Sequence, residues 1–328
     1  LVACVAVGRR EVKASCGGRS LPTRNRPPHV EVLEARGVKM VCQIATDKIV
    51  NVATVPLRSP FRYPGGKTWL VPLVRQWLSK KRTPSLAGMI EPFAGGGIVS
   101  LTAAFEGLVP TVTLVELDSD VAAVWQTMLN GHGEWLADSI SAFVMTPENL
   151  HAALAEADKS VHHRAFATIL KNRTHRGGIL APGAGFVKEG ENGRGLSSRW
   201  YPETLRRRIL EIAARKEQIR FVQGDGIEYM KQNADRPDLA FFIDPPYTVA
   251  GRRLYTLSEI DHAALFDAAA ALAGDFLITY DNAEEIARLA DRHGFQTALV
   301  PMKSTHHERK MELLIGRDLS WLDGSSEF

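Results

Sequence analysis

The stretch "MIEPFAGGGIVSLTAAFEG", residues 89–107, contains a short apolar run, three consecutive glycines and an alanine-rich segment. This order predicts a buried strand, a tight loop and a helix, the first unit of a nucleotide-binding α/β sheet. Glycines at such a loop let the backbone approach a ligand closely, because no side chain obstructs it. No lysine followed by serine or threonine comes after the glycines, so the pattern does not predict a P-loop for phosphates.

The same alternation of strand and helix patterns continues along the chain. "TVTLVELD" (111–118) predicts a second buried strand, and it ends in Glu116 about twenty residues after the glycines. Rossmann-like folds place an acid there to accept hydrogen bonds from ribose hydroxyls. Later strand patterns are "IRFVQGDG" (219–226), "LAFFIDPPY" (239–247), "FLITYDN" (276–282) and "MELLIG" (311–316). We therefore expect an α/β fold with a mostly parallel, Rossmann-like sheet.

The stretch "FFIDPPYTVAG" (241–251) shows how one of these strands ends. Neither proline can donate a backbone hydrogen bond, and the first restricts Asp244 to an extended conformation. At the carboxyl edge of a parallel sheet, the chain would present the carboxylate of Asp244, rigid carbonyls and the aromatic face of Tyr247 to a ligand.

Composition excludes several classes of protein. The chain has 328 residues with 45% hydrophobic and 23% charged content, enough for one large α/β domain and a smaller insertion. No apolar run approaches the roughly 18 residues of a membrane span. Neither a GxSxG motif nor a Ser/His/Asp order is present, so hydrolysis has no evident nucleophile. Three cysteines without a CxxC spacing indicate a reducing cytoplasm, and neighbouring histidines at 162–163 and 306–307 do not predict a metal site.

Positive charge is concentrated in one part of the chain. Residues 159–220 contain fourteen Lys/Arg and five Asp/Glu, a net charge of +9, whereas the whole chain carries +3. A solvated helix face can carry such charge, so the run indicates nucleic-acid contact only in context. This part also contains the glycine-rich "RGGILAPGAGFVKEGENGRG" (176–195) and the arginine-rich "YPETLRRRILEIAARK" (201–216).

These changes of character predict the domain organisation. We expect an insertion at 131–215 that divides a catalytic domain into 56–130 and 216–320, followed by a tail at 321–328. Residues 1–55 are expected to be disordered or an upstream extension, because their first forty residues mix Gly, Pro, Ser and Arg without apolar periodicity.

Five motifs in order carry a resemblance to a known family. They are "FRYPGGK" (61–67), "EPFAGGG" (91–97), the acid-ended second strand, "NRT" (172–174) with its glycine-rich hairpin, and "DPPY" (244–247). From Ser59 to Arg317 the chain resembles the Dam-type (alpha-group) adenine-specific DNA methyltransferases. The resemblance implies a seven-stranded sheet, S-adenosylmethionine as methyl donor and a mainly helical target-recognition insertion. It implies methylation of the N6 amino group of an adenine flipped out of double-stranded DNA.

The resemblance also implies roles for individual residues. Asp244 and the Pro245 carbonyl would accept hydrogen bonds from the two N–H groups of the adenine amine, with Pro246 and Tyr247 completing the motif and Tyr247 stacking on the base. Tyr63 stands where well-known members have tryptophan. The expected cofactor-binding residues are Tyr63, Gly65, Gly66, Lys67, Glu91, Pro92, Phe93, Gly95, Gly97, Glu116, Asp225 and Asp244. The expected nucleic-acid-binding residues are Arg173, Arg176, Arg194, Arg199, Arg206 and Arg207.

Several alternatives stay open at this point. Related folds with a similar motif methylate RNA or protein amides, and a relative without activity would only bind DNA. "NRTHRGGILAPGAGF" (172–186) lacks the hairpin sequence of GATC-specific members, so no recognition sequence can be transferred. We expect a cytoplasmic, nucleoid-associated monomer whose partner is double-stranded DNA, with a restriction endonuclease as a further partner if the chain belongs to a restriction system.

Overall fold

The computed structural model of the protein describes nine segments of the chain. They comprise residues 30–35, 38–44, 55–62, 65–80, 85–156, 160–190, 193–247, 260–303 and 309–324. Among these residues, no helix combines the length and the apolar character that a membrane crossing requires.

A single sheet of nine strands forms the centre of the molecule. The strands are β1 (Val30–Ala35), β2 (Val38–Ile44), β3 (Gly88–Glu91), β4 (Val112–Glu116), β5 (Ile219–Gln223), β6 (Leu239–Ile243), β7 (Asp275–Asp281), β8 (Gln296–Lys303) and β9 (Arg309–Gly316). Their spatial order is β1-β2-β8-β9-β7-β6-β3-β4-β5. The order reverses between β3 and β6, and open α/β sheets bind ligands at such a reversal.

Strands β3 to β9 form the expected seven-stranded, mostly parallel sheet. Five of them, from β5 across to β7, run parallel, and β9 is inserted antiparallel between β7 and β8. This strand order confirms the Rossmann-like fold predicted from the sequence.

The hairpin of β1 and β2 extends the sheet beyond these seven strands. β2 pairs with β8 in parallel, with Gln43 opposite Ala298, and β1 pairs antiparallel with β2. Residues 30–35 and 38–44 thus form strands in the segment 1–55, which was expected to be disordered or an upstream extension, and that division of the chain stays a prediction. An edge strand such as β8 offers unpaired backbone groups, and the hairpin satisfies part of them.

Helices cover both faces of the sheet. They are α1 (Val71–Lys80), α2 (Ile98–Phe105), α3 (Ser119–Thr127), α4 (Gly133–Ala142), α5 (Pro147–Ala155), α6 (Val161–Thr174), α7 (Pro202–Ala213), α8 (Gly226–Gln232), α9 (His262–Ala271) and α10 (Glu284–Arg292). In β6, Ala240 and Phe242 point into one hydrophobic cluster, and Phe241 and Ile243 point into the other. Because side chains alternate along a strand, "AFFI" is buried throughout only if both faces are covered.

The chain between α3 and β5 is mainly helical, as expected for the insertion. Its helices share the core of the catalytic domain: Leu136, Ile169 and Leu205 belong to the same cluster as Trp125 of α3. Helix α6 packs on α3, and α4 packs on α7. The predicted boundaries at 131 and 215 stay predictions.

Candidate active site

The carboxyl ends of β3, β4, β5 and β6 open into a cavity of about 690 Å³. Its wall includes nearly every residue expected to bind a cofactor, namely Gly65, Gly66, Lys67, Glu91, Pro92, Phe93, Gly95, Gly97, Glu116, Asp225 and Asp244. The remaining one, Tyr63, lies outside the described residues. The fold therefore brings the separate sequence motifs together around one space.

The glycine loop between β3 and α2 is held in place by the next strand and helix. Gly97 has a φ of +61°, and a Cβ added there would lie 2.9 Å from the ring of Trp125. The Trp125 indole donates a hydrogen bond to the carbonyl of Gly95 at 3.0 Å, and the Gly95 amide donates to Glu116 Oε2 at 2.9 Å. Only glycine allows the backbone to lie this close to its neighbours.

Two carboxyl groups of this wall have a raised pKa. Burial raises the pKa of Glu116, which accepts backbone hydrogen bonds from Gly95 and Asp118. Glu91 is only 4% exposed and accepts a bond from the Ser100 amide at 2.9 Å. Burial raises the pKa of Glu91 to about 8. Glu91 is therefore mostly protonated at neutral pH unless a cation binds beside it.

Asp244 lies directly after β6, where the prolines fix the backbone. The hydroxyl of Thr279 in β7 donates to Asp244 Oδ1 at 2.8 Å, and Lys67 Nζ lies 2.9 Å from the same oxygen. Within the described part of the chain, Oδ2 takes part in neither contact and has no other hydrogen bond. One oxygen is thus fixed by the protein while the other can accept a hydrogen bond from a ligand.

Glu312 completes this charged group, and sequence reasoning missed it. Its Oε2 accepts a hydrogen bond from the Tyr247 hydroxyl at 2.9 Å and lies 3.9 Å from Lys67 Nζ. Burial raises the pKa of Glu312. Burial lowers the pKa of Lys67, but Asp244 and Glu312 outweigh it and raise that pKa above its usual value. The sequence signal that could have identified Glu312 is a single carboxylate inside the otherwise apolar "MELLIG".

Tyr247 lies beside the cavity. Its ring stacks at 5.9 Å on Tyr280, and Lys67 Nζ lies 4.9 Å from the ring centroid. Pro246 lines the cavity, whereas Tyr247 and Pro245 are not among the residues of its wall. The stacking of Tyr247 on a base stays a prediction.

The segment before Lys67 is clamped by the "NRT" motif at the end of α6. The side chain of Asn172 accepts a hydrogen bond from the Arg62 amide at 2.8 Å and donates to the Arg62 carbonyl at 3.0 Å. It also donates to the Gly178 carbonyl at 2.8 Å. A Cβ on Gly178 would collide with the Arg62 carbonyl. This motif therefore ties the glycine-rich hairpin to the wall of the cavity.

Arg173 does not lie on the surface, where reading DNA bases from the hairpin would place it, and its role in nucleic-acid binding stays a prediction. It is 5% exposed and donates a hydrogen bond to the Pro60 carbonyl, because its face of α6 packs against the segment before Lys67. Both Arg173 and Arg199 line the cavity.

The other predicted nucleic-acid-binding arginines lie outside the cavity wall. Arg176 is exposed, and Arg194 donates to the Ser198 carbonyl at 3.1 Å. On α7, Arg206 Nη2 lies 3.4 Å from a carboxylate oxygen of Asp138, and Arg207 Nη1 lies 3.6 Å from one of Glu211.

The cavity fits S-adenosylmethionine. The glycine loop lines the cavity and is bonded to Glu116 at the end of β4, and the buried Glu91 suits a cationic ligand group. Together with the strand order, these features define an S-adenosylmethionine-dependent methyltransferase. Residues 63–171, about a third of the chain, match the family of D12 class N6 adenine-specific DNA methyltransferases. This match confirms the Dam-type family that the sequence motifs resemble.

Comparison with solved structures finds methyltransferases at low identity. A precorrin-6y C5,15-methyltransferase from Geobacter metallireducens is 11% identical, with a TM-score of 0.33 over 83% of this chain and 95% of that one. An rRNA methyltransferase from Streptomyces viridochromogenes is 12% identical, with a TM-score of 0.37 over 81% and 90%. Comparison with curated proteins finds no match. The fold assignment rests on the strand order of the sheet.

Proposed function

We propose that the protein transfers a methyl group from S-adenosylmethionine to the N6 amino group of an adenine flipped out of double-stranded DNA. The observation that carries this proposal is the position of Asp244, at the end of β6 in the same cavity as the glycine loop. The family match at residues 63–171 supports adenine in DNA as the substrate.

The chemistry follows from the position of Asp244. The amino group of adenine is a weak nucleophile because its lone pair is delocalised into the ring. Oδ2 of Asp244 and the Pro245 carbonyl would accept hydrogen bonds from its two N–H groups, favour the pyramidal nitrogen and aim its lone pair at the donor. Bound S-adenosylmethionine supplies an electrophilic methyl group on a positively charged sulfur. Lys67 and Thr279 hold the opposite oxygen of Asp244, so the acceleration comes from positioning and fixed dipoles.

The donor would bind along the ends of β3, β4 and β5. In our proposal, Glu91 faces the ammonium of the methionine part, Glu116 accepts from the ribose hydroxyls and Asp225 from the adenine ring. Asp225 caps α8 through Oδ1, which accepts from the Glu228 amide at 3.0 Å. Tyr63, Gly65, Gly66, Pro92 and Phe93 complete the proposed walls.

DNA would contact the basic surface of the insertion. The exposed Arg176 and Arg207 and the half-buried Arg206 are suited to phosphate contacts, and so is Arg194, whose guanidinium lies 5.7 Å from the Tyr201 ring. Such contacts orient the duplex without reading its sequence. We propose that one copy of the chain acts on one site and that DNA binding keeps it on the nucleoid.

A competition assay tests the substrate. The protein is given labelled S-adenosylmethionine with mixed-sequence DNA, RNA and protein together, and DNA from cells that express it is sequenced for N6-methyladenine. Label in DNA and modified adenines in a defined sequence are expected, and both should be absent with Asp244→Ala. Label that appears only in RNA or protein would contradict the proposal.

A further inference from the structure

Four arginines form one wall of the cavity. This arginine cluster consists of Arg62 before Lys67, Arg173 near the end of α6, Arg199 before α7 and Arg208 within α7. All four residues line the same space as Asp244. Positive charge is therefore concentrated inside the site as well as on the surface of the insertion.

Two members of the cluster meet at one short piece of backbone. Arg173 donates from Nη2 to the Pro60 carbonyl, and Arg208 donates from Nη1 to the carbonyl of Ser59 at 2.9 Å. These carbonyls belong to consecutive residues, and the two guanidinium groups lie close enough for the charge of Arg208 to lower the pKa of Arg173.

The charges of this pair are not neutralised by the protein. Across the described residues, neither Arg173 nor Arg208 makes an ion pair, and the Nε atom of each is buried without a hydrogen-bond partner. Burial, followed by the charges of Arg208, Arg62 and Arg199, lowers the pKa of Arg173 to about 9, so the side chain still carries its charge at pH 7. A buried guanidinium with spare donors and no carboxylate needs an anion.

We propose that the arginine cluster binds a phosphodiester group of the strand that carries the target adenine, next to the flipped nucleotide. This inference rests on the proposed function. The planar fork of a guanidinium matches phosphate oxygens, and a flipped nucleotide brings its own phosphates to the cavity. Tyr201, which lines the cavity and is 43% exposed, shows that this wall reaches solvent.

The carboxylate of S-adenosylmethionine is the other anion that could reach this wall. It is balanced by the ammonium of the same molecule, whereas a phosphodiester is a net anion. The two guanidinium groups of Arg173 and Arg208 therefore suit the phosphodiester better.

The test uses a probe that needs no base flipping, the trinucleotide TpApT, and two analogues with a neutral methylphosphonate at one or the other phosphate. Binding to the wild-type protein is measured by calorimetry at several salt concentrations. One analogue should bind at least tenfold more weakly than TpApT, with a salt slope smaller by about 0.7, the value for one contact with a single strand. Equal binding of all three probes would overturn the proposal and needs no variant.

Variants then locate the contact. Arg208→Gln should reproduce the loss in affinity and slope for TpApT and leave S-adenosylmethionine binding within twofold. Arg288→Gln, on the exposed face of α10 and away from the cavity wall, is the matched control and should change neither. A melting temperature within a few degrees of the wild type shows that each variant is folded. If Arg208→Gln weakened S-adenosylmethionine binding and not TpApT binding, the cluster would hold the donor instead.

Failure of this inference is distinct from failure of the proposed function. A wild-type protein that methylates adenine in DNA yet binds TpApT and its analogues alike refutes the phosphodiester site alone. A wild-type protein that methylates RNA and no DNA contradicts the proposed function.

Discussion

The ammonium of Lys67 lies 2.9 Å from Asp244 Oδ1, which joins the "GGK" and "DPPY" motifs in one ion pair. Lys67 is 3% exposed and also lies 3.9 Å from Glu312 Oε2, so one buried cation faces two carboxyl groups. The same lysine donates a hydrogen bond to the Gly65 carbonyl at 2.9 Å. The loop that begins the donor pocket and the group that would hold the target amine are thus positioned by one side chain.

Lys67→Met should destabilise the protein by roughly 3 kcal/mol, because it leaves the charge of Asp244 without its buried partner. The loss lies at the lower end of the range for buried pairs, since Asp244 is partly exposed to water. Urea unfolding measures the effect. Adding Glu312→Gln should recover part of the loss, since it removes the second carboxyl group. Lys231→Met, which breaks the exposed pair with Glu228, is the control and should change stability little. Equal losses of stability in Lys67→Met and Lys231→Met would show that the buried ion pair of Lys67 stabilises the protein no more than an exposed one.

Asp244→Ala should lower kcat at least 100-fold, the scale expected when one preorganised group is removed from the reacting centre. Binding of S-adenosylmethionine should be largely retained, because most of the donor pocket is built by other residues. Single-turnover methylation and calorimetry measure the two effects separately. Asp238→Ala, at a half-buried position before β6 and outside the cavity wall, is the control. Near-wild-type turnover would show that Asp244 does not hold the target amine.

The stability of Glu91→Gln relative to the wild type should increase as pH rises from 6 to 8. The pKa of Glu91 is about 8 in the folded protein and 4.5 as its ordinary value, so in this window the folded state holds a proton that the unfolded state has lost. The unfolding free energy of the wild type therefore falls as pH rises, and glutamine removes this contribution.

Urea unfolding at pH 6, 7 and 8, without a ligand, measures the difference between Glu91→Gln and the wild type. Glu106→Gln is the control, because its bond to Arg75 lowers the pKa of Glu106 and the carboxylate is ionised in both states across this window. Its effect should not vary from pH 6 to 8. A constant difference for Glu91→Gln would mean that Glu91 is ionised in the free protein.

Gly97→Ala should cost roughly 2–4 kcal/mol of stability, since a left-handed φ and a collision with the Trp125 ring add together. Gly107→Ala separates the two effects: its φ is +62°, and an added Cβ would have no atom within 4 Å. We expect about 1 kcal/mol for that variant. Gly97→Ala should also weaken S-adenosylmethionine binding. Similar losses of stability in both variants would show that the contact with Trp125 adds nothing to the cost of Gly97→Ala.

The sheet and the glycine loop were predictable because their signals are local. Apolar runs such as "LAFFI" and "TLVE" mark buried strands, and the acid or proline that follows marks the carboxyl edge. Since parallel strands place these ends on one edge, the convergence of Glu91, Glu116 and Asp244 followed from the fold class.

The remaining features depend on contacts between distant parts of the chain. Nothing near Glu312 indicates that Lys67 would lie beside it, because antiparallel β9 must first be inserted between β7 and β8. Arg173 and Arg207 are equally basic in the sequence, but the packing of α6 buries Arg173, whereas Arg207 lies exposed on α7. The hairpin of β1 and β2 was missed because the sequence around it resembles a disordered segment.

The bonds from Asn172 to the backbone of Arg62 have a consequence for protein engineering. One way to alter specificity is to exchange the insertion, residues 131–215, as a single cassette between related proteins. A foreign cassette without an equivalent asparagine would lose both hydrogen bonds to the backbone of Arg62 at the wall of the cavity. A chimera with altered specificity must therefore carry residues 58–62 with the insertion, as one graft made of two pieces of chain.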